Sequence, residues 1–334
     1  MPASQRIALS PLLAGLEAAG EGTRLRLLAL LAEAELTVSE IVTILGQSQP
    51  RVSRHLKLLV EAGLAMRHRE GAWAFFLLAD KSAAAGLARD ILRRLDGNDP
   101  VLAADRARLA EVRRARADHA ERYFSQHAKS WDQIRSLHAP DALVEQAIVA
   151  AIGDTPVNAL LDLGTGTGRM LELLAPLAAR AVGVDQTPAM LSLARARIEH
   201  AGLRNVQLRQ GDIYALPVER GGYDLVVIHQ VLHFLDDPTR ALREAARTLA
   251  PGGRLLVVDF APHDEESLRE NHAHRRLGFS RVEIETALRE AGLGMVQHRV
   301  LSAANAGEKL DVLLWMARDP RITSDLLSSQ MELA

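Results

Sequence analysis

The 334-residue sequence predicts an α/β protein in two parts. The N-terminal part is helical and ends in a β-hairpin. The C-terminal part is a mostly parallel sheet between helices. Three observations predict this. Apolar residues recur at helical spacing through residues 9–60. Two strand patterns then flank the turn Arg69-Glu70-Gly71. From Asn158 onward, short apolar runs alternate with helical stretches, the rhythm of β-α-β units.

In the N-terminal part, helical periodicity covers residues 9–19, 23–34 and 38–45. Gln47-Ser48-Gln49-Pro50 opens a further helix, with Pro50 in its first turn, and Gly63 closes it. Strand patterns at 64–68 and 72–78 make the hairpin. A helix over 81–95 follows, broken by Asp96-Gly97-Asn98. Asp99 and Pro100 then cap and start an Arg-rich helix to about residue 120, whose charges read as a solvated face with intrahelical pairs. In the C-terminal part, strand patterns fall at 159–163, 181–184, 206–209, 225–228, 254–260 and 310–316, and the tail 319–334 carries no assigned role.

Composition narrows the function classes. A net charge of −2 makes any nucleic-acid surface a local patch. The sequence has no cysteine, which excludes disulfides, thiolate metal sites and thiol catalysis. No signal-peptide pattern opens it and no apolar run reaches membrane-spanning length, so a cytoplasmic protein with no membrane partner is expected.

Residues 38–78 read as a helix-turn-helix followed by a wing. On its second helix Val52, Leu56 and Leu59 face a core, and Gln49, Arg51, Ser53, Arg54, His55 and Lys57 project outward, where a recognition helix meets DNA. Five basic residues (Arg51, Arg54, Lys57, Arg67 and Arg69) stand against one acid, Glu61, between positions 51 and 69. The segment SQPRVSRHLKLLVEAGLAMRHREGAWAFFLL resembles the recognition helix and wing of the ArsR family of dimeric repressors, over about residues 8–95. The resemblance implies a homodimer on double-stranded operator DNA. It also implies a dimer contact from the helix after the wing, where Ala85, Leu87, Ile91, Leu92 and Leu95 form an apolar stripe; packing on its own domain is the simpler alternative. Metal-sensing members carry Cys-Val-Cys where this sequence has Thr37-Val38-Ser39, so no metal is expected.

The second motif is Leu160-Leu161-Asp162-Leu163-Gly164-Thr165-Gly166-Thr167-Gly168, a strand running into a glycine-rich turn and a helix. Asp185 ends the next strand, at the distance that suits a ribose diol. A dinucleotide-binding turn would need a third glycine where Arg169 stands. Gly211-Asp212-Ile213 follows a third strand, placing an acid that suits an adenine amine. Together these resemble the Rossmann-like class I S-adenosylmethionine-dependent methyltransferases, over about residues 120–318, with a mostly parallel seven-stranded sheet. The resemblance implies that Asp162, Gly164, Gly166 and Gly168 line the methionine moiety of S-adenosylmethionine or S-adenosylhomocysteine. Asp185 would bind the ribose beside Gln186 and Met190, Asp212 and Ile213 the adenine, and His229 and Gln230 the methionine part. Tyr123-Phe124-Ser125 and Trp131-Asp132 resemble a small-molecule methyltransferase lid; plain packing explains the rings equally well.

His229 and His233 are the candidate general bases, and neither they nor His272 and His274 show a third metal ligand. The position that reads Asn/Asp-Pro-Pro-Tyr in amino-methyltransferases reads Ile228-His229-Gln230-Val231, which argues against base or glutamine methylation. The domains are expected at 1–95 (winged helix and dimerisation), 96–140 (linker helix and lid) and 141–334 (methyltransferase). Two functions fit: a regulator whose operator affinity responds to S-adenosylmethionine or S-adenosylhomocysteine, or a working small-molecule methyltransferase whose winged helix regulates its own operon.

Overall fold

The computed structural model describes residues 7–70, 73–79, 84–132, 141–302 and 310–321. The chain divides into two compact units, Met1–Asp118 and His119–Ala334.

The first unit contains α1 (Leu9–Ala19), α2 (Gly22–Glu33), β1 (Leu36–Thr37), α3 (Val38–Leu45), α4 (Gln49–Glu61), β2 (Ala65–Glu70), β3 (Trp73–Leu78) and α5 (Ala85–Leu92). Leu27, Leu28, Ile41, Ile44, Val52, Leu56 and Leu59 are all fully buried in its core. Each such side chain contributes about 1.5–3 kcal/mol of transfer free energy. Gly46 closes α3 at φ +64°, a left-handed cap that lets α4 leave at an angle. The strand patterns omit β1, whose two residues pair antiparallel with β3. At Leu36 and Thr37 the run is too short for a period to show.

α5 begins at Ala85, and Lys81 lies outside the described residues. Its apolar stripe packs on its own unit: Ala85 and Ala88 are buried, and Leu87, Ile91 and Leu92 lie against the same core. The Arg-rich helix α6 (Pro100–His127) runs past the expected end near residue 120. Its face is not merely solvated. Leu109 is buried in the first unit's core, and Asp105, 2% exposed, accepts from Nε and Nη2 of the Arg26 guanidinium at 2.6 and 2.7 Å. Arg108 and Arg113 donate to the backbone carbonyls of Ile44 and Glu33. The charge spacing along α6 hid partners that come from other elements.

The second unit contains α7 (Asp141–Ile152), β4 (Val157–Leu163), α8 (Arg169–Leu174), β5 (Ala178–Asp185), α9 (Pro188–His200), β6 (Val206–Gln210), β7 (Tyr223–His229), α10 (Pro238–Thr248), β8 (Leu249–Phe260), α11 (Ser267–His272), α12 (Arg281–Glu290), β9 (Gly294–Leu301) and β10 (Val312–Arg318). Seven strands form one sheet in the order β6-β5-β4-β7-β8-β10-β9. The first five are parallel, and β10 runs antiparallel to both neighbours. Apolar residues on its two faces form two separate cores. Strand β9 lies outside the strand patterns. It sits at the sheet edge with most of its side chains exposed, so its sequence lacks an apolar run. The order reverses between β4 and β7, and the carboxyl ends of the strands on either side of that point carry the residues described next.

Candidate functional site

In the first unit, the face opposite the buried Val52, Leu56 and Leu59 exposes Gln49, Arg51, Ser53, Arg54 and Lys57. His55 departs from the expected outward set. Its side chain is 13% exposed and turns toward Glu21, with Nδ1 3.6 Å from the carboxylate. Burial, then the neighbouring Arg24, Arg51 and Arg54, holds the imidazole below its usual range against the pull of Glu21. Lys57 is half-occupied by Glu61 one turn on, at 3.7 Å with both side chains exposed, a weak pair. Arg67 is exposed on β2, and the side chain of Arg69 lies outside the described residues. Thr37, where metal sensors carry a cysteine, is the N-cap of α3. Its hydroxyl accepts from the Glu40 N–H, and the Glu40 carboxylate accepts from the Thr37 N–H.

In the second unit the turn after β4 is built on Gly164, Gly166 and Gly168, at φ +69°, +54° and +83°. Gly164 is needed twice over, since a Cβ there would also stand 2.5 Å from a Val231 methyl. The N–H groups of Gly164 and Thr165 both donate to the Val184 carbonyl, at 2.8 and 3.0 Å, tying the turn to β5. Asp185 completes the tie: Oδ2 accepts the Gly166 N–H and Oδ1 the Thr187 N–H, each at 2.8 Å. Burial raises the Asp185 carboxyl, and the bonds from Thr187 and Gly166 act against that. Asp185, the residue the sequence assigns to a ribose, holds the turn in shape.

Asp162 is 2% exposed, and Oδ2 accepts the Thr165 hydroxyl at 2.5 Å. Burial pushes its carboxyl up to about 7, with the Asp185 charge adding to the rise and the Thr165 bond opposing it. Among the described residues no basic side chain pairs with either acid. Across the turn, Gln230 is 6% exposed, left-handed at φ +53°, and its buried Nε2 has no hydrogen-bond partner among the described residues. Strain at a non-glycine residue of this kind is a feature of ligand sites. The buried Asp162 carboxylate, the Gln230 amide and the glycine cradle are groups that a ligand's ammonium and carboxylate would satisfy, which is the chemistry of an amino acid end group.

The remaining expected residues spread along the strand ends. Gln186 is exposed, Met190 is buried in the first turn of α9, and Ile213 is half-buried against the core. Asp212 is exposed and accepts the Tyr214 N–H at 2.9 Å. His229 is buried at the end of β7. Arg169, in place of a third glycine, makes a bidentate pair with Glu145 of α7 at 2.7 Å. Two residues of the segment expected as a lid meet the turn: the Trp131 Nε1 lies 3.7 Å from where a Gly166 Cβ would be, and Thr167 donates to Asp132 at 2.8 Å. Arg197 donates to the Thr167 hydroxyl and pairs with Asp132.

His229 and His233 do not act as a pair. His233 lies in a 3-10 turn, Leu232–Phe234, and bonds instead to Asp259 on β8, with Nδ1 2.6 Å from Oδ1. His272 meets the Tyr123 hydroxyl at 2.7 Å, and His274 stacks on His233 at 4.1 Å. Among the described residues no group of three or more His, Asp or Glu is placed to hold a metal ion. Sequence reasoning missed Asp259, although a carboxylate closing the apolar run Leu255-Leu256-Val257-Val258 was a visible signal.

Comparison with known proteins agrees with both units. The family model of bacterial regulatory proteins of the arsR family matches residues 21–66, and a methyltransferase domain model matches residues 161–257. A demethylmenaquinone methyltransferase of Thermus thermophilus is 38% identical over 144 residues, 42% of this chain and 64% of the relative. An arsenite methyltransferase of Aquipseudomonas alcaligenes is 38% identical over 110 residues, 30% of this chain and 32% of the relative. The crystal structure of the YcgJ protein of Bacillus subtilis is 21% identical, with a TM-score of 0.45 over 54% of this chain and 98% of that one. The chain spans less than two thirds of the length of these curated relatives. It thus joins an arsR-family helix-turn-helix to a methyltransferase domain, and such a domain implies S-adenosylmethionine-dependent chemistry.

Proposed function

We propose that this protein is a DNA-binding transcriptional regulator, a repressor, whose operator affinity responds to S-adenosylmethionine or S-adenosylhomocysteine held in the methyltransferase domain. The observation that carries the ligand half is the buried Asp162 beside half-buried Asp185 at a glycine turn, with no basic partner for either among the described residues. Asp162, Gly164, Gly166, Gly168, His229 and Gln230 would hold the methionine end. Asp185, Gln186 and Met190 would serve the ribose, Asp212 and Ile213 the adenine, with Tyr123 and Trp131 as lid. When bound, S-adenosylmethionine supplies a sulfonium methyl group. The chain's residues anchor its ammonium, satisfy its carboxylate and exclude water.

The exposed row Gln49, Arg51, Ser53, Arg54 and Lys57, with Arg67 on the wing, supports the DNA half. Leu9, Leu13 and Leu16, one stripe of α1, are 81%, 52% and 47% exposed, which supports a homodimer closed through this unit. The limits 1–95, 96–140 and 141–334 belong to the same proposal. Linkage gives the rationale: a ligand that prefers one dimer geometry changes DNA affinity by the same factor. The test is operator affinity with and without each cofactor form, where the expected change is about 5- to 150-fold for one of them. No change with either form defeats the sensor reading.

Enzymatic turnover on a small molecule is the second reading. It is favoured by the His233–Asp259 pair and by relatives named as methyltransferases of demethylmenaquinone and arsenite. Thiolate capture of arsenite is closed to a chain without cysteine.

A further inference from the structure

We propose that the ends of β7 and β8 carry an acceptor site, in which His233, positioned by Asp259, takes the hydroxyl proton of a planar aromatic ligand, a phenol or hydroquinone. The proposal rests on the cofactor half of the reading above and is independent of the DNA half.

The pair is built for this. His233 and Asp259 are 2% and 0% exposed. Asp259 Oδ1 receives both His233 Nδ1, at 2.6 Å, and the backbone N–H of Phe260, at 2.8 Å, which fixes the carboxylate. A carboxylate only accepts, so Nδ1 carries the proton and Nε2 is left as the basic nitrogen. Among the described residues no hydrogen bond engages Nε2. The second Asp259 oxygen is buried with no partner there either. A buried ionisable pair of this kind adds little stability over an apolar one, which makes it a marker of chemistry.

The rings around it supply the ligand class. The chain has six Phe, three Trp and three Tyr, and five of those twelve meet here: Tyr123, Phe124, Trp131, Phe234 and Phe260. Phe234 lies 4.0 Å from the His233 ring, 4.8 Å from Phe124 and 5.9 Å from Trp131. Trp131 in turn sits over Gly166 of the glycine turn. One continuous aromatic surface therefore runs from the glycine turn to the His233 ring. Phe124, Trp131 and Phe234 are only half-buried, leaving ring surface for a flat ligand. The charged neighbours are Arg275 and Arg276, whose backbone N–H groups donate to the His233 carbonyl, and Asp236, which pairs with Arg275; the Tyr123 phenol and two imidazoles complete the titratable set. His274 stacks on His233, and His263, against Phe260, is pushed down to about 4, chiefly by burial, so it stays neutral near pH 7.

The hydroxyl proton moves to Nε2, and Asp259 balances the imidazolium that forms. The oxygen lone pair then takes the methyl group of a sulfonium donor, whose carbon–sulfur bond breaks with its electron pair left on sulfur. Asp259 is a positioning residue in this scheme; His233 touches the ligand.

The experiment uses the full chain and 4-nitrophenol, whose visible band reports its ionisation, in buffer acidic enough to keep the free dye protonated. It is run with and without S-adenosylhomocysteine. The expected result is a bound dye that is ionised. His233→Gln should abolish the ionised band while S-adenosylhomocysteine binding persists, and Asp259→Asn should cut the ionised fraction at least about tenfold. The wild-type measurement stands alone if either variant fails to fold. Dye that binds in its protonated form, dye that fails to bind, or an ionised band unchanged in His233→Gln overturns the proposal. Failure of S-adenosylhomocysteine to bind wild type would defeat the cofactor reading, and the dye result would still judge the acceptor site.

Discussion

Replacing Asp185 by alanine removes the shared acceptor of two backbone donors, the Gly166 and Thr187 N–H groups, each at 2.8 Å. A hydrogen bond to a charged acceptor contributes about 1.5–3 kcal/mol. Thr187 is 4% exposed, so its N–H is left without water, whereas water can reach half-buried Gly166 and recover part of that loss. The expected destabilisation is therefore about 2–4 kcal/mol. Amide exchange in β4 and β5 reads it in the C-terminal unit alone. The same change releases the glycine turn, so S-adenosylhomocysteine affinity should fall at least about tenfold, or about 1.4 kcal/mol, by calorimetry under conditions where the variant stays folded. Wild-type exchange rates would mean that the carboxylate holds nothing in place. Lost stability with unchanged ligand affinity would mean that this turn is not the cofactor's seat.

Burial raises Asp162 to about 7 in the folded chain, above its unfolded value, so the stability given by its bound proton is present at low pH and lost as pH rises through about 7. A ligand ammonium needs the ionised form, so S-adenosylhomocysteine affinity should rise up to about tenfold from about pH 6 to about pH 8, and titration calorimetry on Asp162→Asn should find that dependence flattened. On the DNA side, Arg54→Ala or Lys57→Ala at a phosphate contact should weaken all sequences alike and lower the slope of affinity against salt by about one unit, whereas at a base contact it should relax preference at one position. Unaltered binding to the promoter of its own gene in both variants would show that the DNA face lies elsewhere. A flexible Gly/Ser insertion after Asp118, where the first compact unit ends, should leave operator and cofactor affinities intact while abolishing the effect of one on the other; competition binding in the insert and wild type decides it.

The recognition helix and the glycine turn were legible because their signals are local. Val52, Leu56 and Leu59 repeat at helical spacing and are all fully buried, and Gly164, Gly166 and Gly168 mark a turn that no other residue type adopts easily. What stayed hidden depends on distant partners. Asp105 looks like one more charge on a polar helix until Arg26, 79 positions away, closes on it. His55 shares the exposed spacing of Arg54 but turns toward Glu21, which precedes it by 34 positions. His233 was legible as a candidate base, yet its partner is not His229, four residues before it, but Asp259 on the next strand of the sheet. Edge strand β9 gave no pattern because one row of its side chains faces solvent and the other is only partly covered.

The central claim, that cofactor and operator binding are linked, is tested most directly by its reciprocal. Calorimetry measures S-adenosylhomocysteine and S-adenosylmethionine affinity for the free protein and for the protein saturated with operator DNA. If the sites are coupled, operator must change the affinity of at least one ligand by the same factor by which that ligand changes operator affinity, about 5- to 150-fold. Equal ligand affinities in the free and DNA-bound protein, for both forms, would contradict the account.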